Sequence, residues 1–67
     1  MDKKLYNRQL RQQVRMVVAL NDDYNYKMLA SEIDITQAAF YNWLADYYDF
    51  GWSRARKLYN LTIDLLD

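Results

Sequence analysis

Cysteine, histidine and proline are absent from this 67-residue sequence, and it contains a single glycine. Without cysteine there can be no disulfide, thiolate metal site or cysteine nucleophile, and without histidine the commonest metal ligand and general base is missing. The shortage of glycine and proline leaves few residues that interrupt regular elements, which favours helices over a β-fold with many turns. We therefore expect an all-α protein that is not an enzyme and carries no cofactor.

Long hydrophobic runs are also missing. The longest fully apolar run, residues 16–20, is far too short to cross a bilayer, and no signal peptide is visible, so we expect a cytoplasmic protein without a membrane partner. The length predicts one domain, residues 1–67, near the lower size limit for a self-sufficient core. Because 52% of the residues are hydrophobic and 16% are aromatic, the chain can still fill such a core.

Net charge is zero, but the charges are unevenly distributed. Residues 1–20 carry five basic side chains against one acidic, whereas residues 21–50 carry one basic against six acidic. Residues 51–67 carry three basic side chains against two acidic. Basic segments therefore flank an acidic centre, although a nucleic-acid-binding protein is expected to present a basic face.

Apolar spacing predicts four helices, over residues 4–20, 26–33, 36–45 and 54–66. Asn25, Thr36 and Ser53 stand where an N-cap side chain is expected for the second, third and fourth helices. Gly51, in the loop before the fourth helix, is the natural position for a positive φ.

Residues 26–44 are the centre of this pattern. Leu29, Ala30 and Ile33 share one face of the second helix, and Phe40 and Trp43 share one face of the third. A residue as small as Ala30 lets the two helices cross closely, so the spacing predicts a helix-turn-helix.

The stretch LASEIDITQAAFYNWL resembles the helix-turn-helix signature of the Cro/CI repressor-like (XRE-type) family of phages and mobile elements. Thr36-Gln37 is similar to the start of that family's recognition helix. Asp34 stands at the turn where the family usually has glycine, so the resemblance implies a positive φ at Asp34, a conformation that aspartate tolerates better than most residues. The resemblance implies a small four-helix, lambda-repressor-like domain that binds duplex DNA as a transcriptional regulator in the host cytoplasm. The family's packing positions correspond to Leu29, Ala30, Ile33, Ile35, Phe40 and Trp43.

The exposed face of the third helix contains the base-reading residues that we predict: Gln37, Ala38, Tyr41 and Asn42. The amides of Gln37 and Asn42 can pair with adenine, and Ala38 can contact a thymine methyl group. Tyr41 can bind phosphate or stack on a sugar. The bland alternative is that the two amides are ordinary exposed side chains, and no arginine in this helix could read guanine.

Phosphate contacts are predicted for basic and hydroxyl side chains around the motif. In the first helix, Lys4 and the three arginines form a continuous basic stripe, for which a merely solvated surface is the alternative. The predicted phosphate-contacting residues are Arg8, Arg11, Arg15, Tyr26, Lys27, Thr36, Arg54, Arg56 and Lys57.

A second interpretation keeps the helix-turn-helix as a scaffold for binding a host or phage protein, as an inhibitor or antirepressor does. Zero net charge favours it, and so do Asp46 and Asp49, which would repel phosphates. Core packing of the aromatic residues and a homodimer contact through Tyr59 and Leu66 are alternatives that the sequence leaves open. The predicted protein-interface residues are Tyr47, Tyr48, Trp52 and Tyr59.

Overall fold

A computed structural model describes residues 2–66 and contains four α-helices and no strand within that range. The all-α prediction is therefore confirmed. Helix α1 packs mainly against α4, and α2 packs against α3. None of the helices in residues 2–66 has the length and apolar character needed to span a membrane. The helices are α1 (Lys3–Leu20), α2 (Tyr26–Glu32), α3 (Gln37–Leu44) and α4 (Trp52–Leu66).

The first three helices begin and end within one residue of their predicted bounds, because local side chains fix their starts. Asn25 Oδ1 accepts from the Met28 N–H at 2.9 Å, and Thr36 Oγ1 accepts from the Ala39 N–H at 3.1 Å. Both predicted caps are confirmed. The Ser53 cap is wrong, because α4 already begins at Trp52 and Ser53 lies within its first turn.

Gly51 precedes α4 without the positive φ predicted for it. Its carbonyl accepts the Ala55 N–H at 2.9 Å and so starts the helix two residues earlier than the sequence pattern suggests. A Cβ added at Gly51 would meet no atom within 4 Å, so neither backbone conformation nor crowding requires glycine at this position.

The ends of α2 and α3 use aspartate where proteins usually place glycine. After α2, Asp34 has a φ of 60°, its N–H donates to Ser31 O, and the Ile35 N–H donates to Ala30 O. This pair of hydrogen bonds is the Schellman motif, which satisfies the last carbonyls of a helix. The positive φ expected at Asp34 is therefore confirmed.

Helix α3 ends in the same way. Asp46 has a φ of 73° and donates its N–H to Trp43 O, while the Tyr47 N–H donates to Asn42 O. Two left-handed aspartates thus stop the two short helices in a chain that has only one glycine.

Substitutions at Asp34 should rank by their tolerance of the left-handed conformation. We expect Asp34→Gly to raise the free energy of unfolding and Asp34→Ala to lower it, each by about 0.5–1 kcal/mol, because a Cβ is disfavoured at this φ and alanine lacks the local hydrogen bonding of aspartate. The ion pair that Asp34 makes with Lys57, 3.7 Å long and solvent-exposed, contributes little. Urea denaturation measures both changes.

Asp46→Gly is the matched control for this series. Glycine relieves the strain of a similar positive φ at this position, but the substitution removes the contact between Asp46 and Arg11. We therefore expect no net gain in the free energy of unfolding. A stability order with Asp34→Ala at the top would contradict the backbone explanation.

The core is one cluster of buried side chains from all four helices and the α3–α4 loop. Trp43 and Phe50 stack at its centre with ring centroids 4.4 Å apart, and Phe40 packs edge-on against Trp43 at 5.5 Å. Burying these aromatic rings gives a small domain much of its hydrophobic stabilisation. The cluster consists of Leu10, Val14, Leu29, Ala30, Ile33, Phe40, Trp43, Leu44, Phe50, Ala55 and Leu58.

One fully buried amide, that of Asn7, links α1 to the rest of this core. Its Oδ1 accepts from Trp43 Nε1 and from the Phe50 N–H, each at 2.8 Å. Its Nδ2 donates to Lys3 O at 2.9 Å and to Phe50 O at 3.1 Å. All four hydrogen-bonding positions of the amide are therefore occupied.

Candidate nucleic-acid interface

The predicted reading residues all lie at the surface of α3. Gln37, Ala38, Tyr41 and Asn42 are exposed, whereas Phe40, Trp43 and Leu44 on the opposite side of the helix are buried. Tyr41 is 45% exposed, and its hydroxyl lies 3.4 Å from Gln37 Nε2. The face therefore presents two amides, a methyl group and a phenol to solvent.

The start of α2 lies beside this face. The ring of Tyr26 is half-buried and contacts Tyr41 edge-on, with centroids 5.7 Å apart, and Phe40 at 6.0 Å. Lys27 is exposed next to it, as is Thr36 at the start of α3. Tyr26 thus packs against the α3 face, and the adjacent Lys27 supplies an exposed positive charge at the start of α2.

Two arginines of the predicted basic stripe hold the C-terminal end of α3. Arg11 Nε donates to Trp43 O at 2.6 Å, and Arg15 Nη2 donates to Leu44 O at 2.8 Å. Because the last carbonyls of a helix carry partial negative charge, cations are favourable there. The stripe on α1 therefore positions α3 rather than forming a uniform exposed surface.

Arg11 is almost completely withdrawn from solvent. It is 5% exposed, its guanidinium lies 5.0 Å from the centre of the Trp43 ring, and Nη2 also donates to Tyr48 O at 2.8 Å. The phosphate contact predicted for Arg11 is therefore wrong, because every edge of its guanidinium already faces a protein partner. Arg8 and Arg15 remain exposed on the same helix.

The acidic residues of the α3–α4 loop are turned toward this arginine. Arg11 Nη2 lies 2.9 Å from Asp49 Oδ1, and Arg11 Nη1 lies 3.2 Å from Asp46 Oδ1. The Asp49 side chain is mostly covered, while that of Asp46 is 77% exposed. One buried cation thus offsets part of the charge expected to repel phosphates, at the C-terminal end of α3 and away from Gln37.

The loop aromatics do not form the single patch that their sequence clustering suggests. Phe50 is in the core, and Tyr48 donates its hydroxyl to Ala39 O at 2.8 Å while packing edge-on against Phe50. Tyr47 is 79% exposed. Trp52 lies on another side of the molecule, where it packs against Tyr6 of α1 at 5.2 Å.

Tyr59, the fourth predicted interface residue, is beside Tyr6 as well, with ring centroids 5.9 Å apart. Burial raises the pKa of the Tyr6 hydroxyl; the neighbouring Tyr59 adds to that rise, and Arg56 opposes it. Tyr59 and Trp52 are therefore parts of one surface on α1 and α4, separate from Tyr47 and Tyr48.

The three basic residues of α4 are divided between two sides of that helix. Arg54 and Lys57 line a surface that also includes Ile33 and Asp34, next to the segment between α2 and α3. Arg54 lies over the Phe50 ring at 5.8 Å. Arg56 lies over the Trp52 ring at 5.5 Å, on the side that faces Tyr6. Only Arg54 and Lys57 therefore belong near the α2–α3 pair.

Two polar side chains fix α3 most directly: Asn7, which the sequence pattern did not single out, and Arg11, for which it predicted a phosphate contact instead. A signal for Asn7 was present, because it precedes Leu10 and Val14 by three and seven residues and so falls on the apolar stripe of α1. For Arg11, its spacing of three residues from Arg8 and four from Arg15 indicated a charged stripe but not which member would be covered.

No protein family, curated protein or solved structure matches this chain. Within residues 2–66, no group of three or more His, Cys, Asp or Glu side chains is arranged to hold a metal ion. The chemistry of the surface itself must therefore indicate the function.

Proposed function

We propose that the protein binds duplex DNA as a transcriptional regulator of the phage or mobile-element type, with α2 and α3 acting as a helix-turn-helix. The observation that carries the proposal is the exposed face of α3, on which Gln37, Ala38 and Asn42 are free to contact base edges. A helix in the major groove reads bases through side chains of this kind. No acidic side chain lies within α3 itself.

The proposal is supported by how firmly α3 is held. Trp43 and Phe40 bury its inner face, Thr36 caps its start, and Arg11 and Arg15 bind the carbonyls at its end. Base reading requires amides placed to within a fraction of an ångström, and a helix fixed at both ends provides that placement.

Phosphate neutralisation is assigned to the cations on the side of the α2–α3 pair. Lys27 flanks the face at the start of α2, and Arg54 and Lys57 lie near the turn before α3. About three phosphate contacts predict a slope of about −3 in the logarithm of affinity against the logarithm of salt concentration. Such a protein binds random DNA weakly and depends on base contacts for affinity.

Gln37→Ala should reduce affinity for a selected DNA site by roughly fivefold to 150-fold, because a bidentate amide–adenine pair contributes about 1–3 kcal/mol. We expect the loss to be confined to one base pair of the preferred sequence. The measurement is selection of preferred duplexes from a random pool, followed by titration of the selected site at several salt concentrations.

Lys27→Ala is the contrasting variant. Gln12→Ala is the matched glutamine control, because Gln12 is exposed on α1. We expect Lys27→Ala to weaken all sequences about equally and reduce the salt slope by about 1. An unchanged sequence preference in Gln37→Ala would remove Gln37 from the reading residues. Absence of DNA binding even at low salt would overturn the proposed function.

Protein binding through the α3–α4 loop is the second candidate. It is favoured by the ring of Tyr47, which is 79% exposed beside the 77% exposed carboxylate of Asp46. Exposed tyrosines are frequent anchors of protein interfaces. In that case the helix pair is a scaffold, and a host or phage protein is the partner.

A further inference from the structure

A concave surface between α1 and the end of α3 is lined mainly by positively charged side chains. The concavity has a volume of about 220 Å³, and Lys4, Arg8 and Arg15 of α1 face Leu44 and Asp46 across it. The three basic side chains are exposed, whereas Leu44 is buried and forms part of the floor. The surface lies at the C-terminal end of α3, because Arg15 Nη2 donates to Leu44 O at 2.8 Å.

The positive charges of this surface are not neutralised by the protein itself. The carboxylates of the nearby α3–α4 loop pair with Arg11, which is buried beneath the surface. Among residues 2–66, Lys4, Arg8 and Arg15 take part in no salt bridge. Three like charges along about 16 Å of one helix face repel one another, so an occupant with negative charge would relieve that repulsion.

The spacing of the charges requires an elongated occupant with several anionic groups. Lys4 and Arg8 are about 6 Å apart along the helix axis and Arg15 is about 10 Å further on, so one carboxylate or phosphate cannot contact all three. Leu5, which precedes Arg8 by three residues and is 39% exposed, adds an apolar side chain to the edge of the surface. Carboxylates pair with the planar fork of a guanidinium through two parallel hydrogen bonds.

We propose that this surface is a docking site for an acidic segment of a partner protein, with carboxylates recurring about once per helical turn. Nucleic acid fits less well, because phosphates only accept hydrogen bonds and would meet the carboxylate of Asp46, which is 77% exposed at the edge of the surface. A peptide can place an N–H group or a basic side chain there. The proposal does not require DNA binding.

The position of the surface is compatible with simultaneous DNA binding. Leu44 lies about 10 Å along the axis of α3 from Gln37. A recognition helix contacts base edges mainly through its N-terminal residues, so the C-terminal end of α3 and the basic flank of α1 stay accessible. A protein bound to DNA through Gln37 could therefore hold an acidic partner through Arg8 at the same time.

Titration with a synthetic acidic helix tests the proposal. The probe is a fluorescein-labelled, alanine-rich peptide with glutamates at every third or fourth position on one face and a leucine beside them, and the control peptide has glutamine in place of each glutamate. Fluorescence anisotropy measures binding without DNA. We expect only the glutamate peptide to bind, and its affinity to fall about tenfold or more between roughly 10 mM and 150 mM salt, because the screening length shortens from about 30 Å to about 8 Å.

Arg8→Glu and Arg56→Glu are a matched pair of variants. Both arginines are exposed and both substitutions change the net charge equally, but Arg56 lies over the Trp52 ring on α4, away from this surface. We expect Arg8→Glu to weaken peptide binding by about tenfold or more, because an attractive contact becomes repulsive, and Arg56→Glu to weaken it by less than about twofold. Circular dichroism establishes that each variant is folded, and Arg8→Gln replaces Arg8→Glu if the charge reversal prevents folding.

Absence of binding by the glutamate peptide at low salt would overturn the proposal, as would equal binding of the glutamine peptide. Equal losses in Arg8→Glu and Arg56→Glu would also overturn it, since the peptide would then respond only to net charge. If Arg8→Glu lowers affinity for random duplex DNA as much as Arg54→Glu does, the surface contacts phosphates and the assignment to an acidic protein is wrong. Peptide binding in a protein that binds no DNA would support this proposal and remove only the proposed function.

Discussion

Replacing Asn7 by alanine should cost about 3 kcal/mol or more of unfolding free energy, which is comparable to the whole stability of a domain of this size. The change leaves the indole N–H of Trp43 and both backbone groups of Phe50 buried without the partners that Asn7 supplies. Each buried polar group left unsatisfied costs about 1–3 kcal/mol. Urea denaturation followed by tryptophan fluorescence measures the loss.

Asn7→Asp separates hydrogen bonding from side-chain volume, since aspartate has nearly the same shape. A carboxylate can still accept from Trp43 and Phe50, but it cannot donate to Lys3 O or Phe50 O, and burial disfavours its charge. The protonated acid recovers one donor. We therefore expect this variant to approach wild-type stability as pH falls toward about 4, the ordinary pKa of aspartate.

Asn60→Ala is the matched control, because Asn60 is exposed on α4. We expect a change within about 0.5 kcal/mol for it. If Asn7→Ala were equally mild, the four hydrogen bonds of Asn7 would not be what joins α1 to the core.

Local signals allowed most of the secondary structure to be predicted from the sequence. Asn25 and Thr36 each precede by three residues the N–H that they cap, and an aspartate tolerates the left-handed conformation needed at position 34. These contacts lie within one turn of chain, so composition and spacing reveal them. The predicted start of α4 differs from the observed one, because the sequence offers two plausible residues to precede the helix, Gly51 and Ser53, which lie two positions apart.

The candidate site could be predicted only in part, because its charges are decided by contacts between distant segments. Arg11 contacts Trp43 O, 32 residues away, and Asp49, 38 residues away. Nothing in the helical spacing of the stripe distinguishes Arg11 from Arg8. Likewise, Tyr47 and Trp52 are close in sequence but lie on different sides of the molecule, because the loop turns between them to bury Phe50.

Arg11 should contribute far more to stability than Arg8, because Arg11 is buried and Arg8 is exposed. Arg11→Met should lower the free energy of unfolding by about 2–3 kcal/mol, because it leaves Tyr48 O without its donor and the largely covered Asp49 without its cation, and it removes the second donor to Trp43 O. Methionine retains much of the aliphatic bulk of arginine, so the change isolates the guanidinium. Thermal and urea denaturation measure it.

Arg8→Met is the matched control, one turn earlier on α1 and exposed, for which we expect a change within about 0.5 kcal/mol. Arg11→Lys should be intermediate, because an ammonium keeps the charge but cannot reach the carbonyls and the carboxylates at once as a planar guanidinium does. Equal effects of Arg11→Met and Arg8→Met would mean that the stripe is only a solvated surface.

The same series links the stability of α3 to its proposed reading of DNA. Arg11 lies at the end of α3 opposite Gln37, so it can affect DNA binding only through the position of the helix. Under conditions in which both variants are fully folded, Arg11→Lys should weaken binding to the selected site and broaden its sequence preference, because a loosely held helix places Gln37 less accurately. Arg8→Met should leave that preference unchanged. Loss of affinity without loss of preference in Arg11→Lys would instead assign Arg11 a purely electrostatic influence.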